Sequence, residues 1–198
     1  HKRKAQLFTG MKGSPVFLWV GRLDTNKDPL TVLDGFARIT SSLRDPHLYM
    51  IYRERKLLDQ VQSVIRKHEM SSRVHLLGEI SHSQMNFYYS SADYFLLGSH
   101  YEGSGYALIE ALSCGVQPIV TDIPSFRTIT QGKVGGLWIP GNALSFGQTI
   151  VNVLARRVSR NSIRTFFERN WSYQSIAKYA HAAYLSVLDR SRSKRATV

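Results

Sequence analysis

The 198-residue sequence has a single cysteine, Cys114, so an internal disulfide is excluded and the chain suits a reducing, cytoplasmic compartment. No apolar run approaches the length needed to cross a bilayer, and no secretory leader is visible. There is no Asp-x-Asp pair and no G-x(4)-G-K-[ST] phosphate loop. There is no G-x-G-x-x-G turn either, because Gly103-x-Gly105 runs on into Tyr106-Ala107-Leu108. The seven histidines lack metal-ligand spacing, so no protein-bound metal is expected. Acidic residues are scarce, 14 against 26 Lys and Arg, for a formal net charge of +12.

The placement of that charge matters more than its size. Residues 13–155 hold 12 basic and 12 acidic side chains, so this part is neutral. Residues 1–12 add four positive charges, and residues 156–198 hold ten basic and two acidic side chains. A nucleic-acid-binding module would need a basic core surface and a recognisable motif, and neither is present. Two partners suit the basic ends, including Arg190, Arg192, Lys194 and Arg195: acidic surface on another domain, or an anionic membrane met peripherally. A solvated tail is the plain alternative.

Hydrophobic content is 43%, ordinary for a globular chain, and the length suits one domain with a sizeable core. Short apolar runs at 16–20, 47–52, 73–77, 93–98, 117–121 and 136–139 read as strands. Helical spacing separates them at 29–42, 55–69, 82–91, 105–114 and 124–131, and three further helices follow at 143–157, 159–168 and 172–188. This alternation predicts an α/β, Rossmann-like three-layer domain with a six-stranded parallel sheet. Ligands of such sheets bind at the carboxyl ends of the strands, where Arg22, Ser99 and Glu102 all fall.

The stretch Glu102 to Pro118 carries the most chemistry. Gly103-Ser104-Gly105 follows a buried strand and opens a helix. Glycines let backbone approach a ligand closely, and the first helical amides favour an anion such as a diphosphate. A Glu102 that caps its own helix is the simpler reading. Glu110 stands among Ala107, Leu108, Ile109, Ala111 and Leu112, and a carboxylate in that company needs a partner. An internal arginine would serve, and so would a ribose diol held by the two oxygens. Gly115 is placed to take the left-handed position that ends the helix, and Pro118 prevents its resumption. Cys114 reads as small core filler.

Glu102 and Glu110, eight positions apart, resemble the E-x(7)-E motif of retaining, family 4 type glycosyltransferases of the GT-B fold. Further segments resemble that family in order: Val20-Gly21-Arg22-Leu23 with Lys27, Arg73 to Gly78, Ser91-Ala92-Asp93, Ser99 with Glu102 to Gly105, Gly135-Gly136-Leu137, and Trp171-Ser172 with Tyr184. The resemblance covers nearly the whole chain. It implies that Glu102 holds donor-sugar hydroxyls at the reacting centre and that Glu110 holds the ribose. Arg22 and Lys27 would clamp the diphosphate and stabilise the charge that grows as it leaves. Gly21 and the backbone of Gly103, Ser104, Gly105 and Tyr106 would line the donor, and the turn at Gly78-Glu79-Ile80 would lie near the base. The donor would be a UDP- or GDP-sugar, with no cofactor, in a setting such as polysaccharide or lipid-linked glycan synthesis.

Two positions depart from the family pattern. A Gly-x-Gly turn is usual after the second strand, whereas here Arg53-Glu54-Arg55-Lys56 follows; bulky side chains there would narrow the site, or the arginines would reach the phosphates, and the plainer reading is a charged helix start on the surface. Asp28 stands where glycine is usual; an acid beside the diphosphate clamp would weaken it unless it turns outward to begin the helix at Pro29, and Asp28-Pro29 suits such a helix entry. GT-B enzymes resemble two such domains facing a cleft, and here the first strand begins at residue 16. The chain is therefore expected to be the C-terminal donor-binding half, with the N-terminal acceptor domain absent, and to bind donor without transferring sugar alone. The competing class is a degenerate, non-catalytic relative that binds a nucleotide or a partner.

Overall fold

The computed structural model describes residues 2–156 and 158–195, with side chains through Leu188. Helix α1 (Lys2–Thr9) precedes six strands: β1 (Val16–Gly21), β2 (His47–Tyr52), β3 (Val74–Gly78), β4 (Tyr94–Leu97), β5 (Gln117–Thr121) and β6 (Gly136–Trp138). Between and after them come α2 (Pro29–Ile39), α3 (Leu58–Lys67), α4 (His82–Ser91), α5 (Tyr106–Ser113), α6 (Pro124–Thr130), α7 (Ala143–Ala155), α8 (Arg160–Asn170) and α9 (Tyr173–Arg195). The strands form one sheet in the order β3-β2-β1-β4-β5-β6, and every neighbouring pair is parallel. The chain moves outward from β1 to β3, then returns to lay β4 on the other side of β1. That reversal opens a crevice beyond the carboxyl ends of β1 and β4.

The strands read as near-continuous apolar runs because both faces are covered, and alternate residues feed two cores. Val16, Leu18, Tyr49, Ile51, Phe95, Leu97 and Val120 pack with residues of α4, α5, α6 and α8. Phe17, Trp19, Leu48, Met50, Leu96 and Ile119 pack on the other face with α2, α3 and α7. Each fully buried large side chain contributes about 1.5–3 kcal/mol.

Several boundaries move from their expected places. The helix expected over 29–42 ends at Ile39 and tightens into a 3-10 turn at Thr40–Ser42. The helix expected from 55 begins at Leu58, so Arg53 to Lys56 form a loop and not a charged helix start. Backbone bonds tie this loop to the turn after β1: Leu23 N–H donates to Glu54 O at 3.1 Å, and Leu57 N–H donates to Leu23 O at 2.9 Å. Arg157, which closes the helix expected over 143–157, lies outside the described residues. Helix α9 runs on past 188, and the side chains of Arg190, Arg192, Lys194 and Arg195 lie outside the described residues as well.

Helix α1 was not anticipated. Its eight residues carry a weak apolar signal, with Ala5 alone buried. It packs on α4, where Phe8 lies 4.3 Å from Phe87 between ring centroids. Lys2 is paired with Asp93 at 2.5 Å, and the other oxygen of Asp93 takes the Val16 N–H at 2.9 Å. This tertiary support, more than propensity, holds so short a helix.

Candidate functional site

The loops that follow β1 and β4 lock together. Gly98 makes this possible: a Cβ there would lie 2.9 Å from Asp28 O and 3.0 Å from Lys27 O, so only glycine lets the two backbones meet. His100 N–H donates to Asn26 O at 2.8 Å, and the Asn26 side chain bonds both backbone groups of Tyr101. Asp28 has φ 42 and ψ 58, a left-handed conformation that favours glycine. Its carboxylate caps α2 through Thr31 N–H at 3.1 Å and meets His100 Nε2 at 3.1 Å. Asp28 therefore starts the helix as expected, and its side chain is committed there.

These contacts bring Lys27 Nζ onto Glu102 Oε1, an ion pair whose side chains are 16% and 14% exposed. Glu102 Oε1 also accepts from Ser99 Oγ at 2.8 Å, and Ser99 is fully buried. Glu102 thus does not cap α5. Asp24 organises the basic pair: one of its oxygens takes Lys27 N–H at 2.9 Å, and the other meets Arg22 Nε at 3.0 Å. Arg22 also has Glu54 at 3.8 Å, while Arg53 pairs with Glu79 at 3.0 Å across the ends of β2 and β3. The loop that replaces the Gly-x-Gly turn therefore supplies an acid to Arg22. The pairing of Asp24 and Glu54 with the basic residues is not visible in the sequence, because loop acids carry no periodic signal.

Helix α5 presents Leu108, Ala111 and Leu112 to the core, while Ala107 and Glu110, three apart, face the crevice. Glu110 is not deep in the helix packing, as its neighbours in sequence suggested. Its side chain is 40% exposed, and its partner is not an arginine. Tyr89 Oη donates to its Oε2 at 2.8 Å, and the exposed His82 lies 3.5 Å from its Oε1. Burial first, then the Glu110 charge, raises the Tyr89 phenol well above its ordinary pKa, so the hydroxyl stays protonated. Gly105, at φ 61, turns the chain into α5 and leaves the amides ahead of Leu108 without intrahelical acceptors. Gly103 and Ser104 lie on this turn, and Tyr106 projects from it, 72% exposed. Gly115, at φ 69, ends the helix as anticipated.

The resulting cleft has a volume of ≈ 550 Å³ and is lined by Gly21, Arg22, Lys27, Arg53, Ile80 and Glu110, among others. That volume lies within the usual range for small-molecule sites. Gly78, at φ 72, closes β3 just before Glu79 and Ile80. Beneath the cleft lies Trp19: a Cβ on Gly21 would be 3.0 Å from its ring and 3.4 Å from Lys27 Cγ. A cavity of ≈ 630 Å³ at the opposite end of the sheet includes Lys2, Asp93 and Arg160. Its charges serve the fold, since Asp93 holds Lys2 and Arg160 donates to the carbonyls of Ala92 and Cys114. An anion at the strands' carboxyl ends would instead meet Arg22 and Lys27, beside Glu110, whose carboxylate can accept from hydroxyls, whereas Gly78, Glu102, Gly103, Ser104, Gly105 and Tyr106 are not among the residues lining this cleft.

Residues 4–167 match the family described as glycosyl transferases group 1, and the chain belongs to it. One curated relative, GDP-mannose:cellobiosyl-diphosphopolyprenol alpha-mannosyltransferase of Xanthomonas oryzae, is 29% identical over 143 residues, 70% of this chain and 37% of its own length. The solved structure of sucrose-phosphate synthase from Thermosynechococcus elongatus superposes with a TM-score of 0.79 at 21% identity, over 95% of this chain and 49% of that one. The C-terminal domain of a glycosyl transferase group 1 family protein from Francisella tularensis gives a TM-score of 0.78 at 14% identity, over 87% of this chain and 94% of that domain. The chain thus spans well under two thirds of the relative and about half of the synthase. It is a glycosyltransferase domain with the Rossmann-like architecture of GT-B enzymes, and the family match goes against the reading as a degenerate, partner-only module.

Proposed function

We propose that the cleft beyond β1 and β4 binds a nucleoside-diphosphate sugar, and that the whole protein passes the sugar to a hydroxyl acceptor with retention. The observation that carries this reading is the convergence of Arg22, Lys27 and Glu110 on one cleft, with Glu102 bonded to Lys27 at its edge. In this reading Glu110 holds the ribose hydroxyls, and Arg22 and Lys27 hold the diphosphate. The leaving diphosphate gains charge as the glycosidic bond breaks, and fixed cations lower that barrier. Glu102 orients sugar hydroxyls, and the Gly78 to Ile80 turn borders the base. No metal takes part. An N-terminal acceptor domain completes the enzyme, and the present chain binds donor without turnover. The basic ends meet that domain or an anionic membrane on the cytoplasmic side, a setting that suits lipid-linked acceptors.

Calorimetric titration with UDP, GDP and ADP, alongside Glu110→Ala, tests the reading. The expected result is binding of UDP or GDP that falls at least roughly tenfold in the variant, since a charged acceptor of two hydroxyls is lost. Equal binding by wild type and variant would remove Glu110 from the site.

A further inference from the structure

Tyr89 is 2% exposed and stands on α4, inside the core shared by α4, α5 and the sheet. Its ring packs edge-on against Phe95, 5.7 Å between centroids. A phenylalanine would satisfy that packing, so the hydroxyl has another reason to be there. A buried hydroxyl needs a hydrogen-bond partner, and this one has Glu110 Oε2 at 2.8 Å, on a different helix 21 residues further along. Among the described residues it is the one side-chain hydrogen bond to the Glu110 carboxylate. From these contacts we infer that Tyr89 is a positioning residue, which sets the Glu110 carboxylate for a ribose diol.

Glu110 lines the cleft and is joined to the core by Oε2, while Oε1 has the exposed His82 at 3.5 Å. A free glutamate on a helix samples several rotamers, and its terminal torsion is broad. The phenol fixes one oxygen from below and so fixes the plane of both. A carboxylate has about four acceptor positions, so Oε1 and the remaining lone pair of Oε2 can take two neighbouring hydroxyls while Tyr89 keeps its bond. The affinity gained is specific to a ligand that presents those hydroxyls, because the ordering cost of the side chain is met before the ligand arrives. Tyr89 touches no ligand atom in this scheme and acts through Glu110 alone.

The inference rests on the proposed ribose contact, and the experiment separates the two. The chain and its Tyr89→Phe variant are titrated with UDP and GDP and with the 2′,3′-dideoxy form of whichever binds. Wild type is expected to prefer the ribonucleotide. Tyr89→Phe is expected to lose roughly five- to twentyfold of that preference, with the dideoxy affinity unchanged. Full retention of the preference in Tyr89→Phe overturns the inference and leaves the ribose contact standing. A parallel loss for both nucleotides marks Tyr89 as structural support only and also overturns it. Equal wild-type affinity for the two forms removes the ribose contact itself, and the inference with it. A second measurement needs no variant: the shielded Tyr89 hydroxyl proton is expected to shift in the NMR spectrum with the ribonucleotide and not with the dideoxy form. Equal shifts, or none, contradict the inference.

Discussion

Replacing Lys27 with alanine removes the cation that neutralises Glu102. The carboxylate left behind is 14% exposed and keeps one donor, the Ser99 hydroxyl at 2.8 Å. Stranding one charge of a fully buried pair costs about 3–5 kcal/mol, while an exposed pair is worth at most about 1 kcal/mol. Residual solvent access and the Ser99 bond place Lys27→Ala between these limits, at about 2 kcal/mol. In a domain of this size that lowers Tm by roughly 4–8 °C. Glu102→Gln differs, because it keeps the volume and an oxygen for Ser99, and it releases Lys27 toward the cleft. Lys27→Ala is therefore expected to weaken nucleoside diphosphate binding, while Glu102→Gln preserves or tightens it. Urea denaturation of the two single variants and the double variant measures the coupling, expected at about 1 kcal/mol or more. Calorimetry on the same proteins measures binding. Additive stability effects, with Lys27→Ala within about 0.5 kcal/mol of wild type, would refute the account of a mostly dry pair. Equal weakening of nucleotide binding by both variants would refute the account of Lys27 as the phosphate-facing cation.

Two other expectations concern the frame around the site. Gly105→Ala combines a left-handed residue with a Cβ 2.7 Å from Ile129 Cδ1, so it is expected to cost about 2–4 kcal/mol, whereas Gly103→Ala, with no atom within 4 Å, is expected to be nearly silent; similar urea midpoints for the two would contradict the geometry. Burial, His47 and Lys12 hold the His75 imidazole below its ordinary pKa, in a stack with His47 and Tyr49 where His47 also meets Asp45. The unfolded chain therefore takes up a proton near pH 6.5 that the folded chain resists, so stability falls on acidification through about that pH. His75→Gln is expected to flatten that slope in denaturation series from about pH 8 to about pH 5, and an unchanged slope would show that the proton goes elsewhere.

The sheet was legible because doubly covered strands are apolar runs, and the turns between them carry Gly, Pro and Asp. Gly115 and Asp28-Pro29 were legible for the same reason, since each solves a local backbone problem. Helix α1 was hidden because its support comes from Asp93, Phe87 and Ser91, far away in sequence. Glu110 was visible as an oddity in an apolar helix, but its exposure depends on which face of α5 the sheet leaves open. The loop Arg53 to Lys56 was read by charge alone, whereas its conformation follows from backbone bonds to Leu23. Ser99 could be found from its motif, while Asp24, Glu54 and Gly98 matter only once two loops meet.

Trp19 lies wholly buried against Gly21, where an added Cβ would touch both its ring and the Lys27 stem, and its indole N–H has no hydrogen-bond partner among the described residues. An indole in such dry surroundings emits at the short-wavelength end of the tryptophan range and responds to small shifts of a nearby charge. Any ligand that draws Lys27 away from Glu102 shifts a charge near that ring. Trp19 is therefore placed as an intrinsic optical reporter under the cleft, its change on occupancy to be read against the emission of Trp138 and Trp171.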